Sequence, residues 1–282
     1  SITLKLPSSL GQTNESTCQA LLTGLMVHLV QLAEEYPSMT MWVDRIHAYD
    51  EADGGKRLWQ TGFHFADWLA LDNYKDPKSC IGGTDCYYIA SAYYAYSAGL
   101  TAKAAEALGR KEDAERYGRL AREVREAVVR EYFTPNGRCA ADTQTAYAVA
   151  LYMDLTPEEM RPRLVAELRR KLRENNMKLT TGFVGTPYLC RVLSQYGATE
   201  DAYALLLNEE LPGWLYEVKM GATTVWERWN SILPDGSLSD ITMNSLNHYA
   251  YGSIVEWMYR WMCGLNPDDE APGFSRAVLT PR

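Results

Sequence analysis

The chain has 282 residues, of which 46% are hydrophobic and 23% are charged, and this globular composition excludes a disordered polypeptide. Its 28 Lys and Arg residues are outnumbered by 36 Asp and Glu residues, which gives a formal net charge of -8. Because phosphate binding needs clustered positive charge and no basic block is present, nucleic acid is excluded as a partner.

The cysteines, histidines and apolar runs of the chain carry no signature of a disulfide framework, a metal site or a membrane segment. No C-x-x-C pair and no metal-ligand spacing of histidines occurs, so we predict free thiols, no metal and no cofactor. Cys80 and Cys86 are close enough to bridge only if the chain were exported. No apolar run of about 18 residues and no signal peptide is present, so we expect a cytoplasmic protein without membrane contact.

Helical patterns dominate from about residue 17 to residue 263 and predict an all-α protein. Residues 20–33 are typical of a core helix, residues 85–108 of a helix buried on all sides, and residues 112–131 of a one-sided amphipathic helix. Thr156, Pro157 and Glu159 form a capping-box pattern that predicts a helix running to about Asn175.

A short internal echo indicates that the helices come in pairs. Residues 108–114 resemble residues 196–202, and in each segment a glycine ends one helix before an acidic first turn begins the next. The echo occurs once, without the regular period of a short-repeat solenoid. The pattern therefore favours an array of helix pairs.

Three long stretches without helical periodicity hold most of the aromatic and polar clusters: residues 59–85, 179–185 and 212–245. Loops this long in a compact domain are usually functional, and these are too aromatic for disorder. We therefore expect them to form one face of the molecule. Residues 1–10 and 274–281 are extended in character, and the latter segment predicts a strand.

The clearest candidate for chemistry is residues 223–229, Thr-Thr-Val-Trp-Glu-Arg-Trp, followed by Asn-Ser-Leu-Asn-His-Tyr at 244–249. Indole rings stack on the apolar faces of sugars, and glycoside hydrolysis needs a carboxylate that takes or gives a proton. Glu227, Trp226, Trp229 and His248 are therefore candidate sugar-site residues. The alternatives are packed aromatics around an ion pair and, for His248, a core histidine.

A second aromatic segment, residues 59–68, adds Asp67 and Trp68 as candidate sugar contacts. For Asp67 the alternative is a helix cap or a buried ion pair. Residues 179–187 are rich in glycine but lack the lysine and spacing of a P-loop. Their glycines more plausibly let the backbone run close to a pocket or a neighbouring helix.

Taken together, four segments of the chain resemble the bacterial α-L-rhamnosidases of glycoside hydrolase family 78, in the same order along the sequence. The segments are residues 61–69, 180–187, 221–237 and 243–250. The resemblance covers roughly residues 35 to 282 and implies an (α/α)6 barrel that cleaves terminal α-L-rhamnose with inversion. It also implies that Glu227 acts as general base and that Trp68 and His248 line the rhamnose pocket.

The chain departs from the family pattern at the general acid, because the upstream block that carries this glutamate is not found. A missing acid would cost a rate factor of about 10²–10⁴. Residues 1–34 form an atypical N-terminal segment, 35–270 the barrel region and 271–282 the start of a β segment. A barrel incomplete at its N-terminus would also expose apolar flanks.

These observations leave three functions open: an inverting rhamnosidase, a rhamnoside-binding module or inactive fragment of the same fold, and an α-helical interaction scaffold. The scaffold predicts a concave groove in place of a Trp and carboxylate pocket. The expected partner of the first two is an α-L-rhamnoside, and a homo-oligomer is left open by the sequence.

Overall fold

The computed structural model describes residues 2–4, 14–239, 242–268, 274 and 276–281, and side chains from residue 29 onward. The described residues form these helices: α1 (Asn14–Ala52), α2 (Cys86–Ala107), α3 (Lys111–Tyr132), α4 (Gln144–Tyr152), α5 (Arg161–Glu174), α6 (Thr186–Gln195), α7 (Thr199–Leu206), α8 (Trp214–Lys219) and α9 (Ile254–Trp257). Strands β1 (Ile2–Leu4), β2 (Leu265–Pro267) and β3 (Ala277–Leu279) complete the set, and a π-helical turn, Met258–Met262, follows α9.

An inner row of helices forms the core. Helix α2 packs against α4, α4 against α6, and α6 against α9. Alanines such as Ala92, Ala95 and Ala98 are fully buried in α2, and in α4 every residue from Gln144 to Leu151 is buried. Small side chains let these helices approach closely. The prediction of a helix buried on all sides holds for the first half of α2, whereas Leu100 and Lys103 in its second half are exposed.

An outer row covers the inner helices α2, α4 and α6, because each of these three is followed by a helix that packs against it. The pairs are α2 with α3, α4 with α5, and α6 with α7. In α5, the buried residues Leu164, Leu168 and Leu172 recur every four positions, and only that stripe faces inward. The described residues therefore form consecutive helical hairpins, as an (α/α)6 barrel requires.

The helix ends follow local chemistry. The Asp85 carboxylate caps α2 by accepting from the Tyr88 amide at 2.7 Å. Gly109 and Gly197 end α2 and α6 with φ of 70° and 81°, so the predicted echo of glycine-terminated helices is confirmed. The predicted capping box is wrong, because Pro157 is extended (ψ 150°) and a 3-10 turn precedes α5 without a side-chain cap.

Helix α1 runs without interruption through the boundary that the sequence analysis places between residues 34 and 35. Its second half is fixed to α3 by long-range contacts. The Tyr36 hydroxyl donates to Asp113 at 2.8 Å, and Arg57, just beyond the helix, donates to Glu123 at 2.8 Å. Most side chains of the predicted core helix at 20–33 lie outside the described residues.

The chain ends meet in a small antiparallel sheet of order β1-β3-β2. Ile2 pairs with Leu279 on one side of β3, and Leu265 pairs with Leu279 on the other. The strand predicted within residues 274–281 is thus confirmed, whereas β2 was not predicted. Residues 271–273 lie outside the described part of the chain.

One flank of the helical array carries exposed aromatic and apolar side chains. Trp42, Tyr49, Phe63 and Phe65 are between 42% and 71% exposed, and an open cavity of about 770 Å³ lies among them. Within the described residues, no helix combines the length and apolar character needed to cross a membrane. Cys80, Cys86, Cys139, Cys190 and Cys263 are free thiols, but only Cys139 and Cys190 among them are buried, and Cys263 is exposed.

Candidate active site

The loop at residues 180–185, just before α6, is the centre of the candidate site, and Asp67 holds it. Asp67 Oδ2 accepts hydrogen bonds from the Thr145 hydroxyl and the Gly182 amide, and Oδ1 accepts from the amides of Val184 and Gly185. The side chain is fully buried. Burial raises the pKa of the Asp67 carboxyl, and these hydrogen bonds act in the opposite direction.

Direct contact between Asp67 and a sugar is therefore not what the structure shows, because both oxygens are engaged and none of the side chain is exposed. The contacts of Asp67 agree better with the alternative interpretation, in which the residue is a helix cap. Asp67 caps the amides in front of α6, far away in sequence, and does not cap a helix of its own segment.

The two glycines of this loop are required by close backbone approach. A Cβ at Gly182 would overlap the carbonyl oxygen of Trp68, and one at Gly185 would overlap the Thr145 side chain of α4. The prediction that these glycines let the backbone run close to its neighbours is confirmed.

Trp226 and Trp229 are 2% and 0% exposed, so neither ring offers a free face to a sugar in this structure. The Trp229 indole N–H donates to the Thr181 carbonyl at 2.9 Å, and its ring stacks on Tyr251 at 4.0 Å between centroids. The alternative of packed aromatics describes both tryptophans. Through its bond to Thr181, Trp229 fixes the loop that carries Glu227 against residues 180–185.

Glu227 lies between these buried tryptophans but is itself only half buried. Its amide donates to the Ser245 carbonyl at 2.9 Å, and its Oε2 accepts from the Ser245 amide at 2.8 Å. Its Oε1 accepts no hydrogen bond from the described residues and remains open to solvent. The neighbouring Arg228 donates from its Nε to the Met243 carbonyl at 2.6 Å.

His248 lies in a stack of three rings, with Phe183 on one side at 5.0 Å and Tyr249 on the other at 5.1 Å between centroids. We call Phe183, His248 and Tyr249 the aromatic stack. His248 Nδ1 accepts from the Ala250 amide at 3.3 Å, so in the neutral ring the proton is on Nε2. That N–H has no acceptor among the described residues and is available to a ligand hydroxyl.

Backbone hydrogen bonds link these side chains into one region. The His248 amide donates to the Val225 carbonyl at 2.8 Å, next to the tryptophan and glutamate segment, and the Phe183 amide donates to the Trp68 carbonyl at 2.9 Å. Trp68 is half buried and meets Phe65 edge-on. The structure thus joins the segments that hold Trp68, Glu227 and His248 through residues 180–185.

The sequence analysis missed Phe183, Ser245 and Tyr251, which complete this region. The sequence does point to Phe183, since this residue lies between the two glycines of the glycine-rich segment 179–187. Ser245 lies in the segment 244–249 that is part of the candidate site, but its contact to Glu227, 18 positions away, is not visible in the sequence. Tyr251 had no signal, because it acts by stacking on Trp229.

Two further buried acids were not predicted. Burial raises the pKa of Glu217, on α8, to about 8 and that of Asp72 to about 6. Asp72 accepts from the Gly83 amide at 2.6 Å and borders a cavity of about 490 Å³. Nothing in these contacts assigns either residue as a general acid.

One cluster has metal-ligand geometry, although the sequence analysis predicts no metal. His47, Asp50 and Glu51 bring ligand atoms within 4.8 Å of one another at the end of α1. The Arg57 guanidinium lies 3.2 Å from Asp50 and 2.5 Å from Glu51, so both carboxylates are paired with a cation of the chain itself.

Helical hairpins whose loops carry a half-buried carboxylate beside aromatic rings are the arrangement expected of a helical-barrel glycosidase domain. Residues 29–262 match the family described as the bacterial alpha-L-rhamnosidase 6 hairpin glycosidase domain, and the chain belongs to this family.

Individual relatives agree with this assignment. An alpha-L-rhamnosidase of Formosa agariphila is 41% identical over 84% of the chain, which covers 25% of that protein. The crystal structure of Streptomyces avermitilis alpha-L-rhamnosidase complexed with L-rhamnose is 38% identical, with a TM-score of 0.77, and the match covers 89% of this chain and 23% of that one. The Aspergillus terreus enzyme is 33% identical, with a TM-score of 0.77, over 87% of this chain and 28% of that one. The chain therefore spans about a quarter of the length of these relatives.

Proposed function

We propose that this chain forms the main part of the catalytic barrel of an α-L-rhamnosidase, and that it hydrolyses terminal α-L-rhamnosides with inversion at the anomeric carbon. The state of Glu227 carries the proposal. One oxygen is fixed by the Ser245 amide and the other is open, so the carboxylate is oriented and still able to accept a proton from water.

The rings around Glu227 suit a sugar. Tyr249 is 88% exposed, and Phe183, His248 and Trp68 are half buried, so apolar ring surface is available to the C–H faces of a pyranose. The His248 Nε2–H supplies a donor for a hydroxyl group. In this proposal Glu227 removes a proton from the attacking water while the sugar rests against these rings.

Inversion requires a second carboxyl at about 6.5–9.5 Å from the base, which protonates the leaving group. No residue of this chain is assigned that role. The first test therefore uses a substrate that needs little acid catalysis, p-nitrophenyl α-L-rhamnoside, whose leaving group departs as a stabilised phenolate. If the chain does not hydrolyse this substrate, the lack of a general acid is therefore not the reason.

Product formation is followed by proton NMR so that the first anomer released is observed directly. The proposal predicts β-L-rhamnose from the wild-type chain and a rate lower by about 10²–10⁴ in Glu227→Gln. Glu209→Gln, at an exposed glutamate that pairs with Lys219, is the matched control and is expected to keep the wild-type rate. Release of the α-anomer, or an unchanged rate in Glu227→Gln, would overturn the proposal. Rhamnose binding without turnover would favour the binding module.

A further inference from the structure

Helix α8 is short, but each of its buried side chains binds the backbone of the segment that carries Glu227 and His248. The Trp214 indole donates to the Tyr251 carbonyl at 2.9 Å, and the Tyr216 hydroxyl donates to the Ile232 carbonyl at 2.7 Å. Glu217 Oε2 accepts from the Trp226 amide at 3.3 Å. Helix α8 therefore supports this segment at three separate points along its length.

Glu217 differs from the other two because a carboxyl group is costly in this position. The residue is 3% exposed, it forms no ion pair within the described residues, and its Oε1 has no hydrogen-bond partner there. A buried carboxyl group without a nearby cation destabilises the folded state unless it forms hydrogen bonds that neighbouring polar groups require. Its one hydrogen bond goes to the amide of the residue directly before Glu227.

Residues 226 and 227 are thus held from two sides. Glu217 binds the Trp226 amide from α8, and Ser245 binds both the backbone and the carboxylate of Glu227. Without an acceptor, the buried Trp226 N–H would be left unsatisfied, and the peptide would rotate to find one. Such a rotation would move the Glu227 carboxylate, and a shift of about 1 Å at a catalytic group can cost a rate factor of about 10².

We propose that Glu217 is a positioning residue, which fixes the catalytic base through the Trp226 amide. This inference rests on the proposed function for its effect on rate. It does not make Glu217 a general acid, because its carboxyl group is closed off from substrate.

The test compares three variants of the same chain. Glu217→Gln keeps an acceptor oxygen of the same reach, Glu217→Met removes the acceptor at similar volume, and Tyr216→Phe removes the neighbouring hydrogen bond to Ile232. We expect kcat on the aryl rhamnoside to fall about 10- to 100-fold in Glu217→Met with KM changed less than about threefold. Glu217→Gln and Tyr216→Phe should each keep kcat within about threefold of the wild type.

A readout without turnover separates this inference from the proposed function. Amide hydrogen exchange of a peptide covering residues 223–229 should lose protection in Glu217→Met and keep it in the other two variants. If exchange and kcat in Glu217→Met both match the wild type, the positioning role is overturned. If the wild-type chain has no turnover, the proposed function fails, and the exchange pattern alone decides whether Glu217 holds the Trp226 amide.

Discussion

The helical rows and the loop end of this molecule are stabilised by different interactions. Helices α2, α4 and α6 pack through small or apolar side chains, and their backbone groups bond within each helix. The loops at residues 180–185 and 222–251 depend on buried polar side chains, Asp67 and Glu217 among them, that bind backbone amides of other segments. Apolar packing therefore positions the helices, and individual hydrogen bonds position the loops of the site. A single substitution should consequently cost more stability at a buried polar residue of the loops than at a helix surface or cap.

Among the substitutions that test this contrast, Asp67→Ala should cause the largest loss of stability. It leaves the amides of Gly182, Val184 and Gly185 and the Thr145 hydroxyl without their acceptor. At about 1–3 kcal/mol for each unsatisfied buried group, with partial relaxation, we expect the free energy of unfolding to fall by about 4 kcal/mol.

Urea denaturation measures this change, and Asp76→Ala is the control. Asp76 lies in the same stretch of chain but is exposed, so its replacement should change stability by less than about 0.5 kcal/mol. Equal losses of unfolding free energy in the two variants would contradict the conclusion that buried polar residues hold the loops.

A pair of glycine substitutions compares the two regions directly. Gly182→Ala places a methyl group against the Trp68 backbone and should cost about 1–3 kcal/mol. Gly99→Ala lies inside α2, where the new methyl would be 3.7 Å from Arg125 and 3.9 Å from Ala121, and should stabilise by up to about 1 kcal/mol. Thermal unfolding of both variants gives the sign, and a destabilised Gly99→Ala protein would contradict the comparison.

The buried carboxyl group of Glu217 should make the stability of the protein depend on pH. Its pKa is raised from 4.5 to about 8 in the folded chain, so between these values the native state binds a proton that the unfolded state has lost. The free energy of unfolding therefore falls as pH rises through that window, by at most about 1.4 kcal/mol per pH unit.

Glu217→Gln removes this titration and should flatten the curve. The difference in stability between wild type and variant, measured by urea denaturation at pH 6 and pH 7, should grow by up to about 1.4 kcal/mol in favour of the variant. Parallel curves for the two proteins would mean that Glu217 is ionised in the folded state.

Asp85→Ala should have the smallest effect. It removes the cap of α2, a local interaction in the helical rows, and should cost about 1 kcal/mol of stability. Rhamnoside turnover at a temperature well below unfolding should change less than twofold, because the cap is independent of the loop end. A large loss of activity would show that the two regions are coupled.

The same contrast explains what the sequence predicts. Helices α2 and α3 follow from apolar spacing and Gly109 from local helix-end chemistry, so they are predictable from neighbours along the chain. The hydrogen bonds that Asp67 accepts span 78 to 118 positions, and no spacing rule reveals them. Helix α8 was not predicted because its six residues, Trp214–Lys219, are too few to show a period.

The candidate site was predictable in its residues but less so in their roles. Glu227, Trp68 and His248 lie in segments that the structure joins, whereas Trp226 and Trp229 are buried and support the loop. Residue type alone cannot separate a tryptophan that stacks on a sugar from one that packs on Tyr251. The roles of Glu227, Trp68 and His248 toward substrate stay predictions.

A crystal structure of Glu227→Gln with an α-L-rhamnoside tests the central claim most directly. The account predicts that the sugar ring lies against Trp68 and the aromatic stack, with His248 Nε2 bonded to a hydroxyl and a water between residue 227 and the anomeric carbon. A sugar bound instead among Trp42, Phe63 and Phe65 on the exposed flank, or distant from residue 227, would contradict it.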